Sequence, residues 1–485
     1  MINKLTVPNV NVLSTIKNGE IFGIIPSFFC NNVPSLFLGG SLAYYIMPIT
    51  ASLPQVIDLS QALPTGSVTI LPQYEGGLGA YAIVDNFSGN GCSSIIIEAD
   101  NMNNLNHVEV IFQGVFFING NANFPAQFNI TQMYDTAQNV WDSEYGWVYS
   151  VSYGNFVSVR LVSGFFSSTT THDLAICTYY DSLSLSSCSI IYNTPDQIPS
   201  PVNGSWVAAT NAIGFNLVSE VVGQGILIDS ASTFAAQGGF YLDGNIGTSS
   251  ANFTIINPIQ RGDLSGTLPV SSLAGKYSFN LVVRTNVDDD DLSETNFLSY
   301  ATGDFNGNNI IDLVVAVQSN SRSYCGIMYA LYDIKYPISD IVLNDIAPPM
   351  GSIIYVSPMH SCYTARYNGK FNVQLSTADV NDDGFSDLLV SGTGILQSTG
   401  NYSDIAYVVL GSPDAFPNGL TLNELTPSQG FNMNETTAKS IPVGLSALGR
   451  IDNSGRDAFS YTDENGLQHI MQLVGDGAEQ AQETI

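Results

Sequence analysis

Two nine-residue stretches of this chain carry oxygen-bearing side chains at positions one, three, five and nine. Residues 304–312 read DFNGNNIID and residues 379–387 read DVNDDGFSD. Oxygens spaced in that way around a tight turn converge on one point, and calcium, a hard cation, takes six to eight of them. Asp379, Asn381, Asp383 and Asp387 would offer side-chain oxygens, and Phe385 its carbonyl at the seventh position. Gly384 would ease the bend. In the other stretch the set is Asp304, Asn306, Asn308 and Asp312, with the Ile310 carbonyl. Three carboxylates against two predict tighter binding at 379–387. An EF-hand would need Glu at position twelve and flanking helices; here LLV or LVV follows the ninth position directly, which places each loop between strands. The competing expectation is an Asx-rich turn that holds itself together without an ion.

The elements that position these loops recur along the chain. Asp312 and Asp387 lie 75 residues apart. Weaker copies of the loop and its following strand occur at 27–40, 85–99, 164–178 (where Asp173 matches Asp312) and 448–462 (ending at Asp457). A clipped copy is assigned to 220–232, which fills the interval between Asp173 and Asp312. Most of these copies lack the acids. Phe165 holds the first ligand position in one, and Arg450 holds it in the last, where its guanidinium is expected to pair with Asp452 or Asp457 in place of a cation. Sequence periods of this size indicate a repeat architecture.

Each unit reads as short apolar strands separated by turn residues, as in FNVQLSTAD, DLLVSG, DIAYVVLGS and GLTLNEL. One small sheet cannot bury both faces, whereas sheets stacked radially can. The expected fold is therefore all-β: a seven-bladed β-propeller of four-stranded antiparallel blades. The blades fall at about 15–75, 76–150, 151–210, 211–290, 291–366, 367–440 and 441–475. Residues 3–10, similar to GLTLNEL, are expected to close the last blade as its fourth strand. The whole of 1–475 is then one domain, followed by a polar tail at 476–485.

The motif D-x-[ND]-x-[ND]-G-x-x-D-[LI]-x-V-[GS] resembles the FG-GAP repeats of the integrin α-subunit propeller and the VCBS-type repeats of bacterial surface proteins. DVNDDGFSDLLVSG carries the resemblance most fully, and DFNGNNIIDLVVAV departs from it at the glycine. The Phe-Gly and Gly-Ala-Pro signatures are not evident. The resemblance implies two structural calcium ions and a binding or adhesion role, with partners met on the opposite face or the rim rather than at the metal loops.

Composition bounds the partners. With 13 basic against 42 acidic residues the net charge is −29, which repels nucleic-acid phosphates and anionic lipid heads. Protein and glycan ligands remain. The uncharged run 21–56 is broken by Pro26, Asn31, Asn32 and Pro34 into strand-length pieces, so it reads as buried strands rather than a membrane span. The N-terminus has no apolar run of the secretory kind, and the calcium loops suggest a place outside the cytosol, reached by a non-classical route. Arg261-Gly262-Asp263 forms an RGD tripeptide, a candidate recognition loop. Asp288 to Asp291 read as a solvated acidic loop. Six cysteines make no disulfide scaffold: Cys177 and Cys188 could close a local loop, with six buried thiols as the alternative. No nucleophile elbow, HExxH or phosphate loop is present. The function expected is non-catalytic binding stabilised by calcium; a polysaccharide lyase or hydrolase on the same scaffold and a scaffold subunit of a larger assembly are the alternatives.

Overall fold

The computed structural model describes residues 10–17, 19–40, 43–49, 53–71, 78–84, 91–99, 114–135, 140–143, 146–150, 156–164, 173–180, 185–192, 207, 214–218, 240–242, 250–256, 263–273, 276, 278–284, 295–319, 327–334, 340–356, 372–395, 402–433, 443–452, 454–462 and 467–473. Strands and short 3-10 turns make up nearly all of it, as the abundance of Val, Ile, Tyr, Thr and turn residues dictates.

Strands close in sequence pair antiparallel and form a sheet before the chain moves on. Thr295–Gly303, Asp312–Ser319, Ile327–Leu331 and Gly351–Tyr355 make one. Asn372–Ala378, Asp387–Ile395, Tyr402–Val409 and Gly430–Asn432 make the next. The first strands of successive sheets pack against each other. Thr295–Gly303 meets Asn372–Ala378, which meets Val443–Arg450, which meets Gly19–Ile25, followed by Leu78–Val84 and Phe156–Gly164. Apolar layers fill the spaces between sheets. Val314, Ala316 and Met328 of one sheet lie in a single cluster with Leu388, Val390 and Val409 of the next. This arrangement is a β-propeller.

The expected disc of seven like blades, each of four antiparallel strands, is corrected by the pairing. Five of the sheets are five or six strands wide, and only the 372–432 sheet consists of four antiparallel strands and nothing else among the described residues. Phe240–Leu242, Ser250–Ile256 and Ser278–Arg284 form a sheet with three antiparallel strands described. The 220–232 segment, assigned above as a loop copy, lies outside the described residues.

The error has a physical source. Segments of the form LTLNEL alternate like strands and were read as the fourth strand of their own blade. In fact only Leu420–Thr421 is extended, and it pairs in parallel with the outer strand of the preceding sheet, Gly351–Tyr355. A 3-10 turn, Leu422–Glu424, follows, and the true fourth strand comes after it at Gly430–Asn432. Ile341–Val342, Gln127–Asn129, Thr267–Pro269 and Val56–Asp58 make parallel pairings of the same kind. Each of these five straps crosses from one sheet to its predecessor. Leu420, Leu422 and Leu425 are buried in the layer between the two sheets they join; Ile341, Leu343 and Ile346 are buried likewise in the layer before it.

An N-terminal strand does join the last sheet, with bounds other than those expected: Val10–Lys17 pairs antiparallel with Gln468–Leu473. Residues 3–9 lie outside the described residues. Of the two expectations for the cysteines, the local Cys177–Cys188 loop closure holds and the six buried thiols do not: Cys177–Cys188 and Cys30–Cys92 are disulfides, while Cys325 and Cys362 lie outside the described residues. Among the described residues no helix is long and apolar enough to cross a membrane.

Leu422 is 1% exposed within its strap. Leu422→Ala should cost about 2–5 kcal/mol, the usual range for truncating a buried leucine. Met350→Ala, at a side chain 45% exposed, should stay within about 0.5 kcal/mol. Urea midpoints for the two variants check the difference; equal midpoints would mean that the strap carries no packing load.

Candidate functional site

The two acidic loops share one backbone path. Positions four and six are left-handed in both: Gly307 (φ 72°) and Asn309 (61°) in one, Asp382 (62°) and Gly384 (85°) in the other. The loop at 27–35 turns in the same way through Cys30 (57°) and Asn32 (58°) without any acid. The turn therefore does not need carboxylates.

Side-chain oxygens cap its N–H groups. Asp304 accepts from the backbone of Asn308 (3.0 Å) and Asn309 (2.7 Å), and Asp379 from Asp383 (3.2 Å) and Gly384 (3.1 Å). Position five accepts from position seven: Asn308 from Ile310 N–H (2.8 Å), Asp383 from Phe385 N–H (2.9 Å). Asn306 and Asn381, at position three, each accept from position five at 3.2 Å.

The ninth aspartates sit apart from this exposed rim. Asp312 and Asp387 are completely buried. The Oδ2 of each receives an N–H from its own loop, from Phe305 and Val380 respectively, both at 2.9 Å. The Oδ1 of each receives an N–H from the hairpin after the third strand, from Asp333 and Gly411, both at 2.8 Å. Each buried carboxylate thereby ties a loop to the neighbouring hairpin of its sheet.

Consecutive loops are clasped by a recurring pair of hydrogen bonds. The first position of one loop gives its N–H to a side-chain oxygen of the next loop and takes that residue's N–H on its carbonyl. Asp304 and Ser386 do this at 3.1 and 2.9 Å, Asp379 and Asp457 at 2.9 and 2.8 Å, Ser27 and Ser93 at 3.0 Å each. The Phe385 ring also covers Gly307 of the preceding loop so closely that a Cβ there would lie 2.1 Å from its Cε1.

Two groups absent from the sequence reading join the site. Asp333 accepts from the side-chain amides of Asn306 (3.4 Å) and Asn308 at its Oδ1, so a third carboxylate reaches the 304–312 loop from the next hairpin. In the last loop, Gln472 Nε2 donates to Asp452 Oδ1 (3.2 Å), Ser454 Oγ (2.9 Å) and the Arg456 carbonyl (3.2 Å). These are positions three, five and seven of that shorter loop, and there the three oxygens meet one donor. The donor set of 379–387 suits calcium, with hard oxygens throughout. Among the described residues no three acidic, histidine or cysteine side chains gather as a ready metal group. At the RGD tripeptide, Asp263 is exposed, and Arg261 and Gly262 lie outside the described residues, as do Asp288 to Asp291.

No family model matches the chain. No curated protein matches it either. Solved structures that match include BBS1N in complex with ARL6DN, at 10% identity over 98% of each chain and a TM-score of 0.42. The N-terminal domain of Nup159 matches at 10% identity over 97% of each chain, with a TM-score of 0.37. A Bacillus licheniformis rhamnogalacturonan lyase matches at 11% identity over 90% of this chain and 81% of that one, with a TM-score of 0.20. The propeller assignment rests on the chain's own strand pairing.

Electrostatics separate the rim from the buried acids. Burial drives the Asp312 carboxyl up to about 7, against the Asp333 and Phe305 N–H groups that favour its charge; the negative Asp304 and Asp333 add to the rise. Burial raises Asp387 well above the usual range and raises Asp379 as well, and in each case neighbouring loop carboxylates contribute. Burial also raises Asp457, with the Asp379 N–H and Arg450 opposing. At Asp452 burial works against the charge, but hydrogen bonds from Ser454 and Gln472, with Arg456 nearby, hold the carboxyl below its ordinary value.

A carboxyl with a raised folded pKa keeps its proton better in the folded state. Its stabilising effect is full below the unfolded value near 4 and is lost as pH rises through about 7. In chelator, Asp312 alone should cost roughly 2 kcal/mol of stability between pH 5.5 and 8. Urea midpoints at the two pH values measure this, and Asp312→Asn should flatten the dependence. A chain more stable at pH 8 than at 5.5 would contradict the assignment.

Proposed function

We infer that this chain is a non-catalytic binding propeller of the FG-GAP/VCBS kind, stabilised by calcium in loops 304–312 and 379–387. The observation that supports the reading is the backbone path shared by the two acidic loops, left-handed at positions four and six, together with the shorter 450–457 loop, where oxygens of positions three, five and seven meet one donor. In loop 379–387 those positions hold Asn381, Asp383 and Phe385, beside Asp379 and Asp387. Calcium bound there would supply positive charge to carboxylates that repel one another and would fix the loop to its clasped neighbour. Asp333 would serve the 304–312 loop as an added acidic group.

The partner, a protein or a glycan, is taken by a propeller face, and the RGD tripeptide is a candidate element of that recognition. The two disulfides suit an oxidising compartment, in keeping with an extracellular or surface-exposed site of action. A net charge of −29 favours neutral or cationic partners over nucleic acid or anionic membrane.

Thermal melts with and without calcium test the structural part. Millimolar calcium should raise the Tm by several degrees, and Asp379→Asn with Asp383→Asn should remove most of the rise. No calcium response in the wild-type chain would end the calcium reading. Glycan arrays and surface pull-downs with loaded and chelated protein test the binding part; calcium-dependent retention of a ligand is expected.

A further inference from the structure

The last loop lacks the acid at its first position, where Arg450 stands, and is one residue shorter than the acidic loops, yet its Asp457 still clasps Asp379 of the loop before it. Its centre is filled by a side chain from the third strand of the same sheet. Gln472 is 7% exposed, and its carboxamide nitrogen faces three oxygens, from Asp452, Ser454 and the Arg456 backbone. An amide nitrogen carries only two hydrogens. Three acceptors around it are arranged as around a point of positive charge rather than along two bond directions.

The strand register supports the comparison. Phe459 pairs with Met471, so Gln472 lies one step on, beside the residue that follows Asp457. The residues after Asp387 and Asp312 are Leu388 and Leu313, which pair with Val409 and Leu331. Where the loop carries its set of Asp and Asn, the facing strand therefore supplies an apolar residue that cannot donate. In the last loop alone among these the strand supplies a donor; the loops ending at Ser35, Ser94 and Asp173 face Met47, Ile118 and Ile191.

We propose that the Gln472 carboxamide is a built-in surrogate for a cation, which fixes the last loop without metal at the point a divalent ion takes in the acidic loops. The last sheet also contains Val10–Lys17, so the surrogate makes that sheet independent of cation supply. The comparison with the acidic loops rests on the calcium reading above, but the role of Gln472 fails or stands separately.

Thermal melts of the full chain decide it. In chelator, Gln472→Met keeps the side-chain length, removes the donor and should lower the Tm by roughly 2 °C or more, because three hydrogen bonds that hold the loop to its sheet are lost. Arg450→Asp combined with Gln472→Ala restores the missing acid and empties the centre. That double variant should gain a calcium-dependent rise in Tm larger than wild type's. Gln472→Met melting with wild type in chelator overturns the proposal, and so does a folded double variant with no extra calcium response. If the double variant does not fold, coupling between Gln472→Met and Ser454→Ala takes its place, and strictly additive losses overturn the proposal. A wild-type chain blind to calcium, with Gln472→Met still impaired, would refute the calcium reading of the other loops and leave the role of Gln472 as the loop's internal donor intact.

Discussion

A carboxylate with no exposure must find hydrogen-bond donors, and at Asp312 and Asp387 that need organises a whole sheet edge. Each stands at the first residue of its strand and takes one N–H from its own loop and one from the hairpin beyond the third strand. Lost donors at such a depth would cost the full desolvation of the charge. The loop, the second strand and the far hairpin are consequently held in one geometry. With the loop so fixed, its first residue presents a free N–H and carbonyl at the sheet's edge, where the next loop can clasp it.

The clasps and the straps divide the work of joining sheets. Clasps act at the loop end through two polar contacts each, as between Asp304 and Ser386. Straps act by burying apolar side chains between sheets, as Ile341, Leu343 and Ile346 do. Apolar burial at about 25 cal/mol per Å² outweighs a pair of hydrogen bonds worth about 1 kcal/mol each, so the straps hold the sheets and the clasps set their rotation. At the junction of loops 27–35 and 86–94 the clasp is reinforced covalently. Cys30 and Cys92 close 62 residues of chain, a constraint of about 4 kcal/mol on the unfolded state by loop entropy.

The loops were legible because their chemistry is local: side-chain oxygens at positions one, three, five and nine, ending in an aspartate before an apolar run. The class of fold followed from their recurrence. The blade plan was less legible. LTLNEL and IVLNDI alternate as well as any strand, and nothing within them says that they will lie parallel to a neighbouring sheet. A signal for the real outer strands was present but short. Gly351 and Gly430 open them, and a Cβ at either would fall 2.3 Å from the Ala330 carbonyl or 2.1 Å from that of Val408. Gly146 and Gly214 open outer strands under the same restriction. Asp333 and Gln472 were out of reach of loop spacing, because each reaches its loop from a different strand, about twenty residues on. The pairing of Cys30 with Cys92 was hidden in the same way, since only the alignment of two weak loop copies brings these residues into register.

One backbone path is thus stabilised by different chemistry in different sheets. The 27–35 loop relies on a serine cap and a disulfide, with Ser27 taking the Asn32 N–H at 3.1 Å as Asp304 takes that of Asn309. The 450–457 loop relies on a carboxamide. The 304–312 and 379–387 loops bring several acids together, and burial first, with mutual repulsion adding to it, raises the pKa values of Asp312 and Asp387. The turn can form without carboxylates, and in the two acidic loops Asp304 and Asp379 do the capping that Ser27 does elsewhere. Repulsion among them is a cost in an apo chain and turns into attraction only with a positive charge at the centre. On the proposed calcium reading, sensitivity to cations would lie in the two adjoining sheets that carry these loops, and the sheet that holds Gln472 would be indifferent to them.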